Sequence, residues 1–215
     1  MKIFFKIILL LFLIGITYAK VKNTTKIACV GDSITYGAKI EDRQKNSYPS
    51  QLKQFLGQEY EVKNFGLNSS TVLTKGNKPY VKSQQYKNAL KFDPDIVIIK
   101  LGTNDSKPIN WKYSNEFISN YTRLITSFQK SENKPKIYIC YPVKAYATDR
   151  PISDKTITSE VIPMINEIAQ KTGVEIINLN EVLNNKKYYD DDLIHPNAEG
   201  ARLMAKTISK ALKRN

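Results

Sequence analysis

The sequence predicts an α/β fold in which helices cover both faces of a parallel sheet, and three observations carry that expectation. Short β-branched runs alternate with longer stretches of helical period along the chain. The run Ile96-Val97-Ile98-Ile99 is continuously apolar, as a strand buried on both faces must be. Pro94, Pro135 and Gly173 stand just ahead of the later runs, where short helix-to-strand connections end.

The first nineteen residues stand apart from the fold. Met1-Lys2 and Lys6 make a basic start, Ile7 to Ile16 an apolar run, and Thr17-Tyr18-Ala19 a close with small residues at the cleavage-reading positions. The run falls short of the ~20 residues that span a bilayer. Residues 1–19 are therefore expected to be a signal peptide that is removed, leaving 20–215 as one domain outside the cytoplasm, periplasmic or secreted. No stable membrane insertion is expected after removal.

Strands are predicted over 26–30, 61–65, 96–101, 136–141 and 174–179, and helices near 48–56, 83–91, 116–129, 159–172 and 197–212. Asn197, just after Pro196, is available as the cap of the last helix. Cys29 and Cys140 each sit in the middle of an apolar run, which points to buried free thiols and not to a disulfide framework. The formal charge of +13 comes from lysines scattered among Asn, Asp and Glu. Without a dense run or an interleaved aromatic ladder, this is a solvated basic surface and not a nucleic-acid track, although it can steer anionic substrates.

In an open parallel sheet, ligands bind beyond the carboxyl ends of the strands, so the strand exits hold the candidate chemistry. The first exit reads Gly31-Asp32-Ser33-Ile34, with a hydroxyl just past a buried strand. The second, Asn64-Phe65-Gly66-Leu67-Asn68-Ser69-Ser70, has a glycine whose backbone can approach a ligand and offer its N–H. The third, Leu101-Gly102-Thr103-Asn104-Asp105, supplies an amide side chain. Each of these, taken singly, is also an ordinary turn. The single histidine lies in Asp190-Asp191-Asp192-Leu193-Ile194-His195-Pro196. Asp192 and His195 are close enough in sequence for the carboxylate to hold one imidazole nitrogen while the other reaches a serine. Together these parts supply what acyl transfer needs: a weak oxygen nucleophile, a base, a carboxylate that orients it, and donors for an oxyanion.

In these four blocks the chain resembles the SGNH (GDSL-like) hydrolase family, from about Lys26 to the last helix. The resemblance implies a flavodoxin-like three-layer α/β/α fold on a five-stranded parallel sheet, and no cofactor or metal. It implies Ser33 as nucleophile, His195 as general base and then acid, and Asp192, by the family's Asp-x-x-His spacing, as the orienting carboxylate. The oxyanion donors it implies are the Ser33 and Gly66 backbone N–H groups and the Asn104 side chain. The stretches 30–37 and 100–108 are similar to bacterial carbohydrate O-acetylesterases, including sialate O-acetylesterases. The implied activity is removal of acetyl groups from a glycan or other acylated small molecule. Asp32, Tyr80 and Trp111, with Tyr146, are the expected substrate contacts.

Within the family a lipase, lysophospholipase or thioesterase is the alternative, because acyl preference depends on pocket shape. An α/β-hydrolase would need Gly-x-Ser-x-Gly, and the pentapeptide does not occur. A single histidine makes a closed metal site a poor reading. A non-catalytic glycan-binding module would have no use for a Ser, His and Asp able to converge.

Overall fold

A computed structural model describes residues 24–214. The expected leader, residues 1–19, lies outside the described residues. Five strands, β1 (Thr25–Gly31), β2 (Tyr60–Gly66), β3 (Ile96–Lys100), β4 (Lys136–Cys140) and β5 (Glu175–Ile177), form one sheet in the order β2-β1-β3-β4-β5. Every pairing is parallel. This is the flavodoxin-like order, and its switch point, where the winding reverses, falls between β1 and β3.

Among the described residues the one-turn α1 (Ser33–Tyr36) follows β1, and the covering layers include α2 (Tyr48–Leu56), α3 (Gln84–Lys91), α4 (Phe117–Gln129), α5 (Ile162–Thr172) and α6 (Ala198–Lys213). The period-2 alternation of β1 divides the core. Ala28 and Val30 join Val97 and Ile99 in one cluster with Phe117, Tyr121 and Phe128, whereas Ile27 and Cys29 join Ile98 and Tyr138 in another with Leu52, Met204 and Ile208. Ile98 is completely buried, and truncating such a residue to alanine costs about 2–5 kcal/mol. Cys29 and Cys140 are free and buried, and burial pushes the Cys140 thiol up to about 12.

The register matters more for function than the layers do. Gly31 at the end of β1 is level with Gly66 at the end of β2 and with Lys100 at the end of β3. Three of the predicted exits therefore open onto one short stretch of sheet edge. The element before β5 differs from expectation: the helix begins at Asp154 and runs through a π-helical turn, Ile157–Val161, before α5. Pro163 has no N–H to continue an α-helical ladder, and the wider turn is placed where that ladder is interrupted. Among the described residues no helix is long and apolar enough to cross a membrane.

Candidate active site

The nucleophile candidate is set by what lies beneath it. Ser33 opens α1, and the preceding Asp32 caps that helix by accepting the Ile34 N–H at 2.9 Å. Asp32 is fully buried and pairs with the equally buried Lys100, whose Nζ lies 3.1 Å from Oδ2 and donates to Thr103 Oγ1 at 2.7 Å. Burial pushes the Lys100 ammonium down, and the Asp32 carboxylate opposes that push. One ionic strut thus ties the turn carrying Ser33 to the loop carrying Asn104. Asp32, expected as a substrate contact, is instead consumed by this strut and by the cap.

Gly66 packs against the same turn. A Cβ there would stand 2.2 Å from the Tyr36 nitrogen, so only glycine lets α1 lie on the end of β2. Its N–H donates to Asn64 Oδ1 at 2.9 Å, and Asn64 Nδ2 in turn donates to the Thr35 carbonyl at 2.8 Å. This corrects the expected oxyanion role of Gly66: its amide is already engaged, and its place is a steric one. Further along the same exit, Ser69 lines the crevice in the left-handed conformation, φ 63°. The Ser69 backbone N–H has no partner among the described residues. A non-glycine residue in that region is uncommon and gathers at functional sites.

On the third exit, Gly102 takes φ 114° and Asn104 follows on a buried turn. The Asn104 Nδ2 is buried and lacks a hydrogen-bond partner among the described residues, which leaves an amide donor facing a crevice that Asn104 itself lines. The neighbouring Asp105 fastens this loop to the one after β2, accepting the Leu73 N–H at 2.9 Å and the Val72 N–H at 3.1 Å. Burial pushes the Asp105 carboxyl up to about 7, against the pull of those two amides.

The histidine arrives from the opposite side. His195 Nε2 is 2.8 Å from Ser33 Oγ, and its Nδ1 is 2.6 Å from Asp192 Oδ2. Asp192 Oδ1 accepts the backbone N–H groups of Ile194 at 3.0 Å and His195 at 2.9 Å, so one carboxylate holds both the turn and the ring. The turn places Leu193 at φ 53°. Burial alone would raise the Asp192 carboxyl, but the His195 amide, the His195 ring and the Ile194 amide together hold it below the usual carboxylate range. Asn197 then starts α6 by accepting the Gly200 N–H at 3.0 Å.

The expected aromatic contacts do not face this crevice. Tyr80 is fully buried, its hydroxyl donating to the Phe65 carbonyl at 2.8 Å. Trp111 lies edge-on to Phe117 and donates from Nε1 to Glu160 at 2.8 Å. Tyr146 packs edge-on against Tyr189. The crevice, about 370 Å³, is walled instead by Ala38 and Lys39, by Asn68 and Ser69, by Lys107, and by Arg150, Pro151 and Ile152. That volume lies at the small end of ligand pockets.

Residues 29–203 match the GDSL-like lipase/acylhydrolase family, and the chain belongs to it. Over 210 residues it is 42% identical to an acetylxylan esterase of Xylanibacter ruminicola, an alignment that takes in 89% of this chain and 44% of that protein. The chain therefore spans less than half the length of this curated relative. The fold is shared with a carbohydrate acetylesterase family member from Sinorhizobium meliloti (TM-score 0.74, 20% identity, 89% of this chain and 98% of that one). It is shared equally with the aryl esterase of M. smegmatis (TM-score 0.72, 20% identity, 89% and 99%).

Proposed function

We propose that this protein is a carboxylic ester hydrolase that removes acetyl or similarly short acyl groups from a carbohydrate through an acyl-enzyme on Ser33. The observation that carries the reading is the unbroken chain from Asp192 through His195 to Ser33 Oγ, at 2.6 and 2.8 Å, beside the unpartnered Asn104 amide. Its acetyl-carbohydrate component is supported by the likeness to the acetylxylan esterase and by the small crevice.

In this mechanism Asp192 accepts the Nδ1 proton of His195 in a hydrogen bond, which leaves Nε2 as the free lone pair. Ser33 Oγ attacks the ester carbonyl carbon while its proton passes to Nε2. The carbonyl oxygen becomes an oxyanion and receives the backbone N–H groups of Ser33 and Ser69 and the Asn104 Nδ2. Collapse breaks the carbon–oxygen bond to the sugar, whose oxygen takes the proton from Nε2. Water then repeats the sequence on the acyl-Ser33 and releases the carboxylate.

The test is acetate release from acetylated xylo-oligosaccharides by wild type and Ser33→Ala. The variant is expected to lose at least about a thousandfold in kcat. Wild-type turnover by Ser33→Ala would refute the nucleophile assignment. A series of 4-nitrophenyl esters from acetate to palmitate addresses the acyl group, with kcat/KM expected to fall as the chain lengthens. A maximum at long chains would favour the lipase reading.

Export belongs to the same proposal. The basic start, short apolar run and Thr17-Tyr18-Ala19 support cleavage after Ala19. Intact-mass measurement of the secreted or periplasmic protein is expected to give a chain that begins at Lys20.

A further inference from the structure

The crevice has an asymmetry of charge that hydrolysis of a neutral ester does not require. Lys39, Lys107 and Arg150 line it, each from a different loop, while the one acid among its lining residues, Asp192, is engaged by His195. Lys39 lies just past α1, which carries Ser33, and takes φ 68°. Lys107 follows Asn104 on the same turn, and its own N–H donates to the Asn104 carbonyl at 3.3 Å. The cations are thus built onto the same loops as the candidate nucleophile and oxyanion donor.

Pairing within the protein does not neutralise them. Among the described residues neither Lys39 nor Lys107 has a carboxylate within salt-bridge reach. Arg150 meets only its own neighbour Asp149, at 3.8 Å, in a pair that is largely exposed. Lys107 is half-buried. Burial holds its ammonium below the ordinary lysine range even against the pull of the Asp32 and Asp105 carboxylates, a cost that an incoming anion would offset. Elsewhere on the surface lysines do find partners, as Lys75 does in Glu116 and Lys136 in Glu175. The crevice lysines are distinguished by standing beside the reactive groups.

We infer that the preferred substrate is an acidic glycan, one in which a sugar carboxylate lies within about one residue of the acetyl ester and is held by Lys107, with Lys39 and Arg150 at the rim. This rests on the esterase reading and narrows its substrate to a class. Uronate- and sialate-type sugars share that carboxylate chemistry.

The experiment compares two acetylated oligogalacturonides of identical acetylation, one with free carboxylates and one with those groups converted to primary carboxamides. A neutral aryl ester, 4-nitrophenyl acetate, reports the esterase itself. At low ionic strength kcat/KM is expected to be about tenfold higher for the free acid, the equivalent of roughly 1.4 kcal/mol. The ratio should shrink as salt screens the rim charges and fall towards one in the double variant Lys107→Met/Arg150→Met. An acetylated sialoside measured beside its carboxamide separates the two sources of carboxylate. Ratios near one for both pairs in the wild type, with 4-nitrophenyl acetate still cleaved, would overturn the acidic-substrate inference and leave the esterase standing. So would a preference that survives unchanged in the double variant. Absence of cleavage of every ester would overturn the esterase reading and this inference with it.

Discussion

The two halves of the candidate active site are held by different physics. The Ser33 side rests on burial: the Asp32–Lys100 pair is sealed from water, and Gly66 is jammed beneath Tyr36 with no room for a methyl group. The His195 side is partly open and rests on direct hydrogen bonds accepted by a single carboxylate, with the side chains of Asp192 and His195 at 17% and 19% exposure. The nucleophile is therefore positioned by the core, and the base by one residue of its own loop. Damage to the first should appear as lost stability, and damage to the second as lost turnover.

The largest expected effect sharpens that division. Asp192→Asn removes the acceptor that fixes the imidazole tautomer and is expected to lower kcat about ten-thousandfold, with a modest change in melting temperature. On the buried side, Lys100→Met leaves Asp32 as an uncompensated buried charge and should cost about 3–5 kcal/mol of unfolding free energy. Chemical denaturation measures it, and Asp32→Asn/Lys100→Met should recover part of the loss. If Lys100→Met proved as stable as wild type, the contrast between the two halves would break.

Asn104→Ala bridges the halves. It removes a donor without a partner among the described residues, so kcat should fall about a hundred- to a thousandfold while stability stays within about 1 kcal/mol of wild type. The remaining effect is one of pH. The Asp105 carboxyl sits at about 7 in the fold against an ordinary 3.8, so the folded state keeps a proton that the unfolded state has already lost between those values. Its contribution is thus present below about pH 4 and declines as pH rises towards 7, by up to ~1.4 kcal/mol per unit. Unfolding free energies measured across that range should show a shallower decline for Asp105→Asn than for wild type.

Much of this was legible in the sequence because the signals were strong and local. The continuous run in β3 and the punctuation by Pro94 and Pro135 located the sheet to within a residue or two; Ser33 and Asn104 lie at strand exits, and Asp192 and His195, read from the single histidine and its spacing to an aspartate, line the same crevice. The start of the helix before β5 was misplaced because Pro163 disguises a helix that begins earlier, at Asp154, through a π-turn. Gly66 was read as a donor because a glycine at a strand exit offers both a bare amide and an absent side chain, and the sequence does not say which is used. Ser69 carried no signal, since only the backbone angle reveals a left-handed serine. Tyr80 and Trp111 were read as sugar faces, yet an aromatic in a loop reveals its direction only when its packing partners, here Phe65 and Phe117, are in place. Lys39, Lys107 and Arg150 were invisible among 33 basic residues, because their place in the crevice, not residue type, sets them apart.

The most direct test of the central claim is to treat the enzyme with an organophosphate ester that traps activated serines and to map the adduct by mass spectrometry. Modification is expected at Ser33 alone in wild type, and at no serine when His195→Ala is treated in the same way. An adduct on another serine, or undiminished labelling of Ser33 without the imidazole, would contradict the assignment of His195 as the base that activates it.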